Sequence, residues 1–174
     1  MISACLLGEA VRYDGKSKLL AHSGLQELMK NNQVIGFCPE VAGDLPVPRP
    51  AAEILDGNGD NVLSGTARVR TKAGEDVTSQ FLIGAQRALD LCLKHNIKIA
   101  VLTQFSPSCG SGEIYDGSFK RRKKSGSGVT TALLRQQGIQ VFDQFELDQA
   151  IKQLKSDSNR EKPQSSHPAQ ESHN

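Results

Sequence analysis

At 174 residues with a formal net charge of +2, the chain is long enough for one well-packed domain and close to neutral, so overall charge selects neither nucleic acid nor a membrane surface. No apolar run reaches the length of a membrane span, and Met1-Ile2-Ser3-Ala4-Cys5 lacks the charged and apolar regions of a signal peptide. The expectation is a cytoplasmic protein, in which four cysteines serve as thiols, metal ligands or redox groups rather than structural bridges.

In chain order, Ile2 to Leu7 reads as a first strand with Cys5 near its carboxyl end, followed by Gly8-Glu9 and the turn Arg12-Tyr13-Asp14-Gly15. A helix over His22 to Asn31, with Leu25, Leu28 and Met29 on one face, leads to a second strand from Gln33 to Phe37 that ends in Cys38-Pro39-Glu40. Val41 to Arg70 is punctuated by Gly and Pro and leaves room for short extended pieces, among them a hairpin strand over Val62 to Lys72. Asp76 or Thr78 caps a long helix to His95, and its stripe of Phe81, Ala85, Ala88 and Cys92 assigns Cys92 to the core.

The apolar, β-branched run Ile97 to Leu102 predicts a third strand, which delivers the turn Phe105-Ser106-Pro107-Ser108-Cys109-Gly110-Ser111-Gly112. Ile114-Tyr115-Asp116-Gly117 follows, then the basic run Lys120 to Lys124, read as a solvated loop. Ser125 to Thr130 opens a helix ending near Gln137, Ile139 to Phe142 is a fourth strand, and Glu146 to Leu154 a last helix. Residues 1–155 are the expected domain. Residues 156–174, polar and carrying His167 and His173, are the expected disordered tail.

Strands alternating with helices predict an α/β fold: a single open, doubly wound, Rossmann-like and mainly parallel sheet with helices on both faces. Such sheets bind ligands at the carboxyl ends of their strands. Cys5, Cys38 and Cys109 each fall at or just after a predicted strand end, so one fold assumption brings all three to one edge. There is also an internal echo. Cys5, Gly8, Glu9 and Tyr13-Asp14-Gly15 are matched by Cys109, Gly112, Glu113 and Tyr115-Asp116-Gly117, which suggests two similar loops flanking one site.

Three thiols at one edge suit a zinc ion, an iron-sulfur cluster or a thiol–disulfide couple. Structural zinc usually takes four protein ligands, often from paired C-x-x-C loops, redox pairs commonly use C-x-x-C as well, and the chain contains no such pair. A cubane cluster needs no local spacing, and three thiolates leave one iron open. Spacing favours the cluster and leaves the other two readings standing.

Cys5-Leu6-Leu7-Gly8 with Arg12-Tyr13-Asp14-Gly15, Cys38-Pro39-Glu40 with Pro48-Arg49-Pro50, Ser106-Pro107-Ser108-Cys109-Gly110 and Gly128-Val129-Thr130 occur in this order between Ile2 and about Phe142. Together they resemble the signature of the thiouracil desulfidase family. The resemblance implies a 4Fe-4S cluster with one open iron, held by Cys5, Cys38 and Cys109, and an enzyme removing sulfur from thiolated uracil compounds such as thiouracil or 4-thiouridine monophosphate, with hydrolytic C–S cleavage. It also implies that Ser106 is catalytic. Glu40, two residues beyond Cys38, is the candidate general acid or base. The plainer readings of these two are a solvated carboxylate after Pro39 and a turn hydroxyl before Pro107.

Weaker candidates for substrate binding are Arg12, Tyr13, Asp14, Arg49 and Ser108, and a substrate phosphate would suit the basic run or the amides of Ser125 to Thr130. Two rivals to the enzyme are a non-enzymatic metal- or cluster-binding sensor and an RNA-binding module acting on thiolated tRNA. Aromatic interleaving for the latter is poor, since only Phe119 adjoins the basic run.

Overall fold

The computed structural model describes residues 1–31 and 33–160. In chain order the strands are β1 (Ile2–Ser3), β2 (Gly36–Phe37), β3 (Ala52–Leu55), β4 (Arg68–Thr71), β5 (Ile99–Leu102), β6 (Glu113–Tyr115), β7 (Lys123–Ser125) and β8 (Gln140–Asp143). The helices are α1 (Ser23–Lys30), α2 (Pro39–Ala42), α3 (Gly59–Leu63), α4 (Thr78–Lys94), α5 (Val129–Gln136) and α6 (Leu147–Arg160). None of the described helices is long and apolar enough to cross a membrane.

The centre is a four-stranded parallel sheet in the order β2-β1-β5-β8. Its fold class is the Rossmann-like α/β arrangement read from the sequence. β5 is buried at all four residues, as a strand covered on both faces must be. Ile99 and Val101 pack with Ile2, Leu25, Leu147 and Ile151 toward α1 and α6. Ala100 and Leu102 point the other way, against Leu89, Cys92 and Leu134 of α4 and α5. The period of two thus assigns one helical layer to each face.

Two antiparallel hairpins, β3–β4 and β6–β7, complete the structure. β4 alternates exposed and buried residues. Its Val69 joins Ile54, Val77, Phe81 and Ile114 in a separate apolar cluster. In α4 the stripe Phe81, Ala85, Ala88, Cys92 is buried throughout, as helical spacing predicts.

Several boundaries differ from expectation. The first strand ends at Ser3, and Ala4–Leu7 is a 3-10 turn closed by Gly8 at φ 97°, a conformation that favours glycine. Cys5 therefore sits in a helical turn just past the strand end. The second strand pairs only over Gly36–Phe37. Val62 lies in α3, so the hairpin strand begins at Arg68. Asp76 precedes the cap position and still accepts the Thr78 amide at 3.0 Å.

The basic run is not simply a loop: Lys123 and Lys124 pair with β6. The last helix continues to Arg160, so residues 156–160, assigned to the tail from composition, are helical. His167 and His173 lie outside the described residues.

Candidate active site

Beyond the carboxyl edge of the sheet lies a cleft of about 390 Å³. Cys5, Cys38 and Cys109 line it together with Ser3, Thr103, Glu40, Ser106 and Arg49. The topology thus brings the three cysteines together, whereas Cys92 lies on the buried face of α4 with its thiol 3.9 Å from Met1 Sδ. All four are free thiols.

Cys5 comes from the 3-10 turn after β1. Cys38 caps α2, where Pro39 at the first helical position needs no amide partner and presets the helical φ. α2 in turn lies with its backbone directly against α4. A Cβ on Gly84 would collide with Pro39 O, and one on Gly43 would collide with Gln80 O. Two glycines facing each other across this contact set the depth at which Cys38 and Glu40 enter the cleft.

Cys109 is held by a heavily bonded turn. Ser106 Oγ accepts the amides of Ser108 and Cys109, both at 3.1 Å. Gln104 Oε1 accepts the amides of Ser111 and Gly112 at 2.8 and 3.2 Å, while its Nε2 donates to Asp143. At the start of α5, the amides of Val129 and Thr130 donate to the carbonyls of Pro107 and Ser108, each at 2.9 Å. Those amides are consumed by the cysteine turn, so the phosphate role considered for Ser125 to Thr130 loses its main donors.

Glu40 is gripped from two sides. Arg49 donates Nε to its Oε2 at 2.8 Å, with Nη2 ion-paired to the same oxygen at 2.7 Å, and Ser106 Oγ donates to its Oε1 at 3.1 Å. Arg49 also donates to the carbonyls of Val11 and Pro46. Its side chain is only 5% exposed. Arg49, read from the sequence as a substrate contact, is instead anchored by two backbone carbonyls and paired with Glu40, an orienting role of the kind a planar fork suits.

The other weak candidates separate. Arg12 and Tyr13 line the cleft; Asp14 does not, but accepts the Lys16 amide at 3.2 Å and shapes the turn. Asp116 accepts the Ser118 amide in the same way at 2.9 Å, and Gly15 and Gly117 both adopt positive φ. Tyr115 also lines the cleft, so the two Tyr-Asp-Gly segments are similar turns flanking one site. Ser108 is buried, its hydroxyl 2.8 Å from that of Thr130, and it does not reach the cleft.

Burial raises the Cys38 thiol above its ordinary range, with the nearby Glu40 charge adding and the Val41 amide and Arg49 opposing. Cys109 is pushed up further, first by complete burial, then by the charges of Glu40 and Cys38. Neutral thiols are therefore the resting form of these two in the metal-free chain, and a metal centre would have to displace their protons. Among the described residues, no group of His, Cys, Asp and Glu closes on a single point as one metal ion requires. Three soft donors spread around one cleft fit a polynuclear cluster, which holds its thiolates apart.

Sequence reasoning missed Ser3 and Thr103, whose hydroxyls lie against Cys109 and Cys5. Their signal was position alone: each stands at the carboxyl end of a central strand.

Fold and site together define an α/β protein that gathers three thiols, an ion-paired glutamate and a serine at the carboxyl edge of a parallel sheet. The 2-thiouracil desulfurase family matches over residues 1–146, and the chain belongs to that family. It is similar to the uncharacterized protein YbbK of Bacillus subtilis (strain 168), with 40% identity over 151 residues that cover 87% of this chain and 99% of that protein. Among solved structures it is similar to the 4Fe-4S-dependent thiouracil desulfidase TudS, with 47% identity, a TM-score of 0.81, and coverage of 89% of this chain and 96% of the other.

Proposed function

We propose that the protein is an iron-sulfur-dependent desulfidase that exchanges the sulfur of a thiolated uracil base or nucleotide for oxygen from water, releasing sulfide. The observation that carries this reading is the convergence of Cys5, Cys38, Cys109, Glu40 and Ser106 on one cleft. Membership of the 2-thiouracil desulfurase family and the likeness to TudS support it.

Cys5, Cys38 and Cys109 would hold the 4Fe-4S cluster. When bound, the cluster supplies one iron without a protein ligand, a Lewis acid suited to a soft thiocarbonyl sulfur. The protein's own part is proton handling and orientation. Attack of water on the ring carbon releases protons, and departure of the sulfur takes them up. In balance, thiocarbonyl and water become carbonyl and hydrogen sulfide, with no net change of oxidation state. Glu40 is placed to accept and return a proton in that exchange.

Arg49 occupies Oε2 and leaves Oε1 as the working oxygen. Ser106 Oγ already accepts two amides, so its own proton is directed to Oε1; the hydroxyl orients Glu40 at the cleft wall, and the carboxylate itself exchanges the protons. Tyr13, Phe37, Phe105, Tyr115 and Phe119 line the same cleft and offer faces against which a pyrimidine can lie.

The test is anaerobic reconstitution followed by assay of sulfide release from thiouracil and 4-thiouridine monophosphate. Iron near four per chain and stoichiometric oxo product are expected. A protein that binds only zinc, or one that carries the cluster but releases no sulfide from either compound, would overturn the reading.

A further inference from the structure

The thiols of Cys109 and Cys5 each face a hydroxyl that the Glu40–Ser106 pair leaves unused. Ser3, the last residue of β1, is 3% exposed, and its Oγ lies 3.7 Å from Cys109 Sγ. The same oxygen accepts the Thr103 amide at 3.0 Å. With that lone pair engaged, the hydroxyl proton is aimed at the sulfur. Thr103 directly follows β5, and its Oγ1 lies 3.1 Å from Cys5 Sγ. A protonated Cys5 can play either part in that contact. Once Cys5 is a metal-bound thiolate it has no proton, and only Thr103 can donate.

Cys38 is different. Its thiol is directed at the Val11 carbonyl, 3.9 Å away, a contact that ends when the proton leaves. β1 and β5 are adjacent parallel strands, so Ser3 and Thr103 emerge side by side from the sheet and are linked by the Thr103 amide. Both hydroxyls are therefore placed by the rigid centre of the fold rather than by a loop.

We propose that Ser3 and Thr103 are positioning residues that donate hydrogen bonds to the thiolates of Cys109 and Cys5, drawing electron density from two of the three sulfur ligands. The inference rests on the cluster reading above. A hydrogen bond to a ligating sulfur stabilises the reduced, more negative cluster and raises its reduction potential. The same withdrawal makes the sulfurs weaker donors and the iron more electron-poor.

The experiment is a redox titration of the anaerobically reconstituted holoprotein, followed by electron paramagnetic resonance, with iron per chain measured in parallel. Ser3→Ala and Thr103→Val remove one hydroxyl each; Thr103→Ser keeps the donor and drops the methyl group. Expected are native iron content, a midpoint potential shifted negative in both hydroxyl-deleting variants, a larger shift in the double variant, and a native value for Thr103→Ser.

Native potentials in loaded Ser3→Ala and Thr103→Val would overturn the proposal, as would equal shifts in Thr103→Val and Thr103→Ser, which would assign the effect to packing. If Ser3→Ala fails to fold, the Thr103 pair decides. A native protein that takes up no cluster sinks the cluster reading and this one with it. A loaded native protein whose variants do not shift sinks this one alone.

Discussion

Gly84, in the middle of α4, touches no thiol, yet replacing it with alanine is expected to disable the site. An added Cβ would overlap Pro39 O, far inside the 3.0 Å that real Cβ atoms essentially always keep from a neighbour. The contact must therefore open by about 1 Å, an estimate that assumes the α4 backbone holds its place. Pro39 stands between Cys38 and Glu40, and its carbonyl accepts the Gly43 amide that closes α2. Whatever moves Pro39 moves Cys38 and Glu40 together, the proposed cluster ligand and proton acceptor.

Two effects of opposite sign compete in Gly84→Ala. Alanine in a helix interior gains about 1 kcal/mol over glycine from propensity alone. Overpacking a close contact costs about 1–3 kcal/mol. The partner here is backbone, not the end of a flexible side chain, so the cost falls toward the upper figure and net destabilisation is expected. The functional effect is larger, because a displacement of about 1 Å at a reacting geometry costs on the order of a hundredfold in rate.

The assay is iron per chain and sulfide release for Gly84→Ala beside Gly74→Ala. Gly74 has φ +89° and open space around its Cβ position, so its replacement strains a remote turn without pushing on α2. Gly84→Ala should lose iron or turn over about a hundredfold more slowly, with Gly74→Ala near native on both counts. Native iron and turnover within about twofold for Gly84→Ala would refute the claim that this contact sets the depth of Cys38 and Glu40.

Removing Arg49 by substitution with Met leaves the largely buried Glu40 carboxylate without its partner, a loss of about 3 kcal/mol, the lower end for a buried pair, in urea unfolding of the cluster-free chain; the double variant with Glu40→Gln should recover much of it. Cys92→Ala should keep native iron content, while alanine at Cys5, Cys38 or Cys109 abolishes cluster retention, as iron analysis after anaerobic reconstitution will show. Glu53 Oε2 accepts the amides of Gly117 and Phe119 at 2.9 and 3.0 Å and so anchors the hairpin tip whose Phe119 and Arg121 line the cleft. Glu53→Ala should raise KM several-fold with kcat little changed, by steady-state assay; a fall in kcat alone would place Glu53 elsewhere in the reaction.

How much of this was legible in the sequence depends on the range of the interaction. The four central strands were legible in position but not in extent: the apolar run Ile97 to Leu102 contains β5, buried at all four residues, whereas β1 and β2 shrink to two residues each and β8 keeps an exposed Gln140. The α4 stripe was legible from its apolar period of 3.6 residues. Short elements were not: α2 and α3 have four and five residues and exist because Gly43, Gly59 and Gly84 let backbones touch, a fact of packing that no local pattern announces. The β6–β7 hairpin was hidden because Lys123 and Lys124 look like solvent-facing charge, although Lys123 Nζ lies 3.5 Å from the centre of the Phe105 ring, a cation–π contact that holds this strand over the site.

The candidate site shows the same division. That Cys5, Cys38 and Cys109 share one cleft was legible because a thiol's chemistry is intrinsic and a strand end fixes its place. The placement of Arg49 was not, because a guanidinium nine residues from Glu40 reads as a substrate clamp or a surface ion pair until Pro46 and Val11 are seen to take two more of its donors. Ser106 combines both cases. Its hydroxyl was legible as a turn cap before Pro107 and, by family resemblance, as catalytic, and these readings looked like rivals. In the structure one arrangement serves both: the amides of Ser108 and Cys109 fill the acceptor side of Oγ, and that is what directs its proton to Glu40. The turn that positions Cys109 also orients the hydroxyl, so under the proposed function a substitution that loosened the cap is expected to disturb cluster retention and proton transfer at Glu40 together.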